Sequence, residues 1–141
     1  MVEGIEFLEH TADAYLKVWG KSLEEMFERA GIGFYEVMTD TSKVKCKVKK
    51  EVEVEGYDLQ NLLLRWLEEL LFLFDSEGFI AAKIEVDKLT TKPPKLHAIL
   101  CGERFDPKKH DVRVAVKAAT YSDMEIWREN DLWYATYVLD I

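Results

Sequence analysis

Two short stretches at opposite ends of the 141-residue chain carry the side chains best suited to chemistry. Near the start, Glu9-His10-Thr11-Ala12-Asp13 sets an imidazole and a carboxylate three residues apart; at the other end Asp140 precedes Ile141. A turn in the backbone lets His10 and Asp13 converge. If the last strand pairs beside residues 14–19, Asp140 and Ile141 arrive next to them. That gathers the carboxylates of Asp13 and Asp140, the terminal carboxylate of Ile141 and one neutral imidazole. Three negative charges at close range repel unless something positive sits among them. A divalent cation answers that need: mostly oxygen ligands suit calcium, magnesium or manganese, and one imidazole admits manganese or zinc. A capped turn with a hydrogen-bonded histidine is the plainer alternative, and the residues alone leave both open.

Other candidates are weaker. His97 alternates within a strand pattern and reads as a partly exposed strand residue, and His110 follows Asp106-Pro107 as a turn histidine. Cys46 and Cys101 lack metal-type spacing and read as small buried residues in a reducing cytosol. Ser22 is a helix cap, leaving Ser42, Ser76 and Ser122 as poor support for a hydrolase triad. Asp75 and Glu77 read as polar helix-end residues. A Gly-rich phosphate loop, a Cys-x-x-Cys motif and a nucleophile elbow are all absent from the sequence.

The elements that must position these residues follow from periodicity. Asp58 is an N-cap and Gly78 a left-handed C-terminal stop for a central helix. Between them Leu59, Leu62, Leu63, Leu64, Trp66, Leu67, Leu70, Leu71, Leu73 and Phe74 cover most of the circumference. Asn61, Arg65, Glu68 and Glu69 form a thin polar face, so burial over most of the surface is expected. Arg65, Glu68 and Glu69 also break the run too early for a membrane span. Ser22 to Met38 is a first helix, with Ser22 and Glu25 as a capping-box pair. Gly31 and Gly33 weaken it but permit close packing. Strand patterns cover Ala14–Trp19, residues 43–55 with a bulge expected at Lys50, 80–87, 96–100, 112–116 and 133–139. In 43–55, Val44, Cys46, Val48, Val52 and Val54 share one face. Thr90-Thr91-Lys92-Pro93-Pro94 reads as a turn or loop and Glu129-Asn130-Asp131 as a turn. The expected class is α+β, a mainly antiparallel sheet with two helices packed on it, in a single domain over 1–141. Segment 80–104 could protrude as a hairpin subdomain.

With 48% hydrophobic and 33% charged residues the chain has the balance of a globular domain rather than a disordered one. The opening Met-Val-Glu-Gly-Ile-Glu lacks a basic and an apolar run, so no signal peptide is expected. A formal charge of −8 argues against strong direct nucleic-acid binding. The lysines of 43–50 continue into glutamates and read as a solvated strand face.

Several motifs, taken together and in order, resemble the archease family. They are Phe7-Leu8-Glu9-His10-Thr11-Ala12-Asp13, Gly20-Lys21-Ser22-Leu23-Glu24-Glu25-Met26-Phe27, and Leu70 through Phe79. Gly102-Glu103-Arg104-Phe105-Asp106-Pro107, His110, Val116-Lys117-Ala118, Thr120-Tyr121 and Asp140-Ile141 follow. Ser122 departs from the pattern, where a histidine is expected. The resemblance implies a cytoplasmic, non-catalytic accessory protein of the GTP-dependent tRNA-splicing RNA ligase, promoting ligase guanylylation and multiple turnover. It implies a divalent-metal site, calcium the first guess, at His10, Asp13, Asp140 and Ile141. Asp13 and Asp140 would ligate by carboxylate and Ile141 by a terminal or backbone oxygen, with His10 as ligand or orienter. A metal-dependent hydrolase and a general chaperone or interaction module are the alternatives.

Overall fold

The computed structural model describes residues 3–8 and 13–141. Seven strands and two helices follow in the order β1 (Ile5–Leu8), β2 (Asp13–Gly20), α1 (Leu23–Met38), β3 (Val48–Glu55), α2 (Leu59–Glu77), β4 (Phe79–Thr91), β5 (Pro94–Arg104), β6 (Ala118–Glu129) and β7 (Leu132–Asp140). All pairing among them is antiparallel, as expected. The strands divide, however, into two sheets, ordered β1-β2-β7-β6 and β3-β5-β4. Both helices bridge the sheets. α1 packs on β2 and β7 of the first and on β4 of the second; α2 packs on β6 and on β3, β4 and β5.

Both helices start and stop where their caps dictate. The Ser22 hydroxyl accepts from the Glu25 amide at 3.1 Å, while Glu25 reaches back to the Lys21 amide at 3.0 Å. Asp58 accepts from the Asn61 amide at 2.7 Å, and Gly78 closes α2 with φ 70°. α1, rather than α2, is the more enclosed helix: 11 of its 16 residues are buried against 7 of 19 in α2. Its glycines are the reason. A methyl at Gly31 would meet Ile84 Cδ1 at 2.6 Å and Trp66 at 3.1 Å, and one at Gly33 would meet Tyr137 Oη at 2.8 Å and Leu16 at 2.9 Å. The bare backbone lets α1 touch α2, β2, β4 and β7 together. Trp66 and Tyr137 then lock the contact, donating to Phe27 O at 2.9 Å and Ala30 O at 2.7 Å. On α2, Phe72 is 60% exposed and Leu64, Leu71 and Phe74 are half-buried, whereas Asn61 is buried. Asn61 accepts from the Tyr57 amide at 3.2 Å and donates to Tyr121 Oη at 2.7 Å, which brings an amide into the core side of the helix.

Four further expectations need correction. The alternating 112–116 segment forms no strand: Val112 and Val114 are exposed and Val116 is buried, because no strand among the described residues accepts its ladder. Strand β3 begins at Val48 and meets β5 in unbroken register through Lys50, so the bulges lie elsewhere, on β4 between Ala81 and Lys83 and between Val86 and Lys88. Lys50 stays on the face of Val52 and Val54, half-buried, and pairs with Glu77 at the end of α2. Only Lys92-Pro93 forms the β4–β5 turn, with Thr90, Thr91 and Pro94 already in the strands, Pro94 as the first residue of β5, where a missing N–H is tolerated. That hairpin takes β3 along β5 and packs on α1 through β4.

The fourth correction concerns the cysteines. Cys46 and Cys101 are joined in a disulfide with Cα atoms 4.9 Å apart, and Cys46 is exposed rather than buried. The extended segment ahead of β3 runs along β5, with the Lys47 amide donating to Gly102 O at 2.9 Å, which brings the two cysteines within bridging distance despite a sequence separation of 55. No helix among the described residues is long and apolar enough to cross a membrane.

Candidate metal centre

β2 and β7 lie side by side at the middle of the first sheet. Leu16, Val18, Ala135 and Tyr137 point into the core, and their burial sets the register as Leu16 opposite Tyr137 and Val18 opposite Ala135. A shift of one residue would turn every one of these side chains to the wrong face. Followed to the end of the ladder, the register puts Asp13 directly opposite Asp140. The start of β2 and the end of β7 therefore do meet. The start of β6 closes the same corner, with Ala118 opposite Asp140 and the Lys117 amide donating to Asp140 O at 2.7 Å. Ile141 is half-buried and packs against the core, holding the terminal segment down.

Directly opposed residues on neighbouring strands have Cβ atoms roughly 4.5–5.5 Å apart, and two carboxylates there repel. A cation between them reverses the sign of that interaction. The donors are hard oxygens, which fit calcium, magnesium or manganese. Among the described residues no group of three or more His, Cys, Asp or Glu side chains could hold a metal ion. His10 lies outside the described residues.

The other histidines have structural partners. His97 is bonded through Nδ1 to Asp87 at 2.7 Å, with Glu51 3.3 Å from Nε2, and the Asp87 hydrogen bond raises its pKa. His110 is buried, which the reading as a plain turn histidine did not anticipate. Its Nδ1 accepts from the Asp106 amide at 2.9 Å, so Nε2 carries the proton and donates to Glu103 Oε2 at 2.9 Å. Glu103 is itself buried and also accepts from Lys109 Nζ at 2.8 Å and the Lys45 amide at 2.8 Å. Led by the Lys109 contact, these bonds hold its carboxyl well below the usual carboxylate range. Sequence reasoning missed this hub, since nothing in the spacing of Lys45, Glu103 and His110 marks them as neighbours. It also missed the exposed pair Tyr57 and Tyr121, whose hydroxyls lie 3.2 Å apart. Two of the four serines serve the backbone, Ser22 as a cap and Ser76 donating to Phe72 O, while the Ser42 hydroxyl donates to Asp40 Oδ1.

An α+β chain whose two antiparallel sheets clasp two helices, with facing aspartates where β2 begins and β7 ends, defines the class. The chain belongs to the Archease protein family, which it matches over residues 5–141. It is 45% identical over 140 residues to the protein archease of Sulfurisphaera tokodaii, covering 99% of this chain and 100% of that one. It is 46% identical over 138 residues to the protein archease of Pyrococcus abyssi, covering 96% and 97%. The solution structure of Methanobacterium thermoautotrophicum protein 1598 is similar with a TM-score of 0.82 and 39% identity, covering 99% of this chain and 100% of the other. The crystal structure of an archease from Thermotoga maritima, described as a possible chaperone, shares the fold with a TM-score of 0.61 at 19% identity, covering 96% of each chain.

Proposed function

We propose that this protein is a non-catalytic activator of the GTP-dependent tRNA-splicing RNA ligase, acting in the cytoplasm. It docks on the ligase, promotes guanylylation and sustains multiple turnover. A divalent cation held by Asp13 and Asp140 is central to that role, calcium being the first candidate. Ile141 adds a backbone or terminal oxygen, and His10 ligates or orients the shell. The observation that carries the reading is the direct opposition of Asp13 and Asp140, two like charges that gain from a shared cation. The formal charge of −8 suits docking on a basic, RNA-binding partner, where complementary fields raise the on-rate.

The test is ligase guanylylation with and without this protein across calcium, manganese and magnesium. Asp13→Ala and Asp140→Ala are expected to abolish stimulation while circular dichroism shows an unchanged fold. Full stimulation by both variants would refute the role. A second reading, a general chaperone, draws on the description of the Thermotoga maritima relative. Metal-independent rescue of unrelated aggregating clients would favour it.

A further inference from the structure

The net charge of −8 conceals a segregation. Residues 43–50 and 103–113 hold nine of the 19 Lys and Arg but only three of the 27 Asp and Glu. These two segments carry a formal +6, and the rest of the chain −14. They are also neighbours in space. The Lys47 amide donates to Gly102 O, the Lys45 amide to Glu103, Lys43 pairs with Asp111 at 3.1 Å, and the Cys46–Cys101 bridge ties the strips together. Two of the three acids are already engaged there. Glu103 is buried under Lys47, Lys109 and His110, and Asp111 lies against Lys43 and Arg113. Beside Glu103 runs a groove of about 470 Å³ that combines Lys47, Arg104 and Lys109 with the apolar surfaces of Val48, Phe105 and Pro107.

We infer that this basic groove is a docking surface for the phosphate backbone of single-stranded RNA. Seven of the nine cations in these two segments are lysines, compact point charges on flexible stems that can each reach a phosphate. Lys45, Lys47 and Lys49 are all exposed on one extended segment, spaced at every second residue. Apolar surface flanked by cations is what a strand needs to lay down bases beside its phosphates. The acidic remainder repels the rest of the polyanion, so contact is confined to this groove, weak and sensitive to salt. The surface is distinct from Asp13 and Asp140, and its test needs no ligase.

The experiment is fluorescence anisotropy of a short unstructured RNA titrated with the isolated protein, with labelled polyglutamate as the competing class of ligand. The expected affinity is in the non-specific range, roughly 10⁻⁶ to 10⁻⁴ M, falling steeply between ~50 and ~200 mM salt. The Lys47→Glu/Arg104→Glu variant, at exposed positions that line the groove, should weaken RNA binding by about tenfold or more. The charge-matched control Lys88→Glu/Lys92→Glu, near the β4–β5 turn, should change it less than about twofold. Thermal melts verify that both variants fold; if the first does not, Lys47→Ala/Arg104→Ala replaces it. Absence of RNA binding at low salt, equal loss in groove and control variants, or polyglutamate bound as tightly as RNA would each overturn the inference.

Discussion

Glu103 is a buried acid whose environment accounts for its charge. Hydrogen bonds from Lys109, His110 and the Lys45 amide favour the ionised form and hold its pKa down in the folded protein. A depressed folded value means that its contribution to stability is full above the ordinary glutamate pKa of 4.5 and is lost as pH falls from there towards the folded value. Glu103→Gln should therefore destabilise the protein by roughly 1–3 kcal/mol at neutral pH, measured by urea unfolding, with the deficit narrowing below pH 4.5. A deficit that stays constant through the acid range would contradict this account. His110 belongs to the same unit: its tautomer is set by the Asp106 amide, so it presents a donor and not an acceptor to Glu103.

At the scale of elements, α1 depends on what it lacks. Gly31→Ala would gain helix propensity of about 0.5–1 kcal/mol. The added methyl would sit 2.6 Å from Ile84 Cδ1 and 3.1 Å from Trp66, so overpacking should win and the variant should unfold about 1–3 kcal/mol more easily. A chemical denaturation midpoint at or above wild type would show that the interface between α1, α2 and β4 yields freely. The helices were legible because their ends are written in local chemistry: Ser22 with Glu25, Asp58 and Gly78. The same holds for the β6–β7 turn, where Asn130 and Asp131 adopt φ 53° and 65°. What periodicity could not supply was partnership. Val112, Val114 and Val116 alternate as a strand should, yet no strand among the described residues pairs with them, and the division into two sheets is set by how α1 and α2 fill the space between. The Cys46–Cys101 bridge escaped for a related reason: it depends on β5 running beside the segment ahead of β3, a long-range fact with no local mark.

Across the whole molecule, the decisive contact is between the start of β2 and the end of β7. That Asp13 and Asp140 would meet was legible from charge and strand pattern, and the β2–β7 register brings them opposite one another. The identity of the cation we propose for them was not, because oxygen donors of this kind serve calcium, magnesium and manganese alike. The measurement that tests the account most directly is thermal unfolding of wild type and Asp140→Asn, in chelator and then in saturating calcium, manganese or magnesium. In chelator the variant should melt at or slightly above wild type, since relief of the cross-strand repulsion is worth about 0.2–1 kcal/mol. A cation at about 100 times its dissociation constant should stabilise wild type by about 2.7 kcal/mol, raising the melting temperature by roughly 5–10 °C, and leave Asp140→Asn nearly unmoved. A wild type indifferent to all three cations, or a variant that gains as much as wild type does, would contradict it.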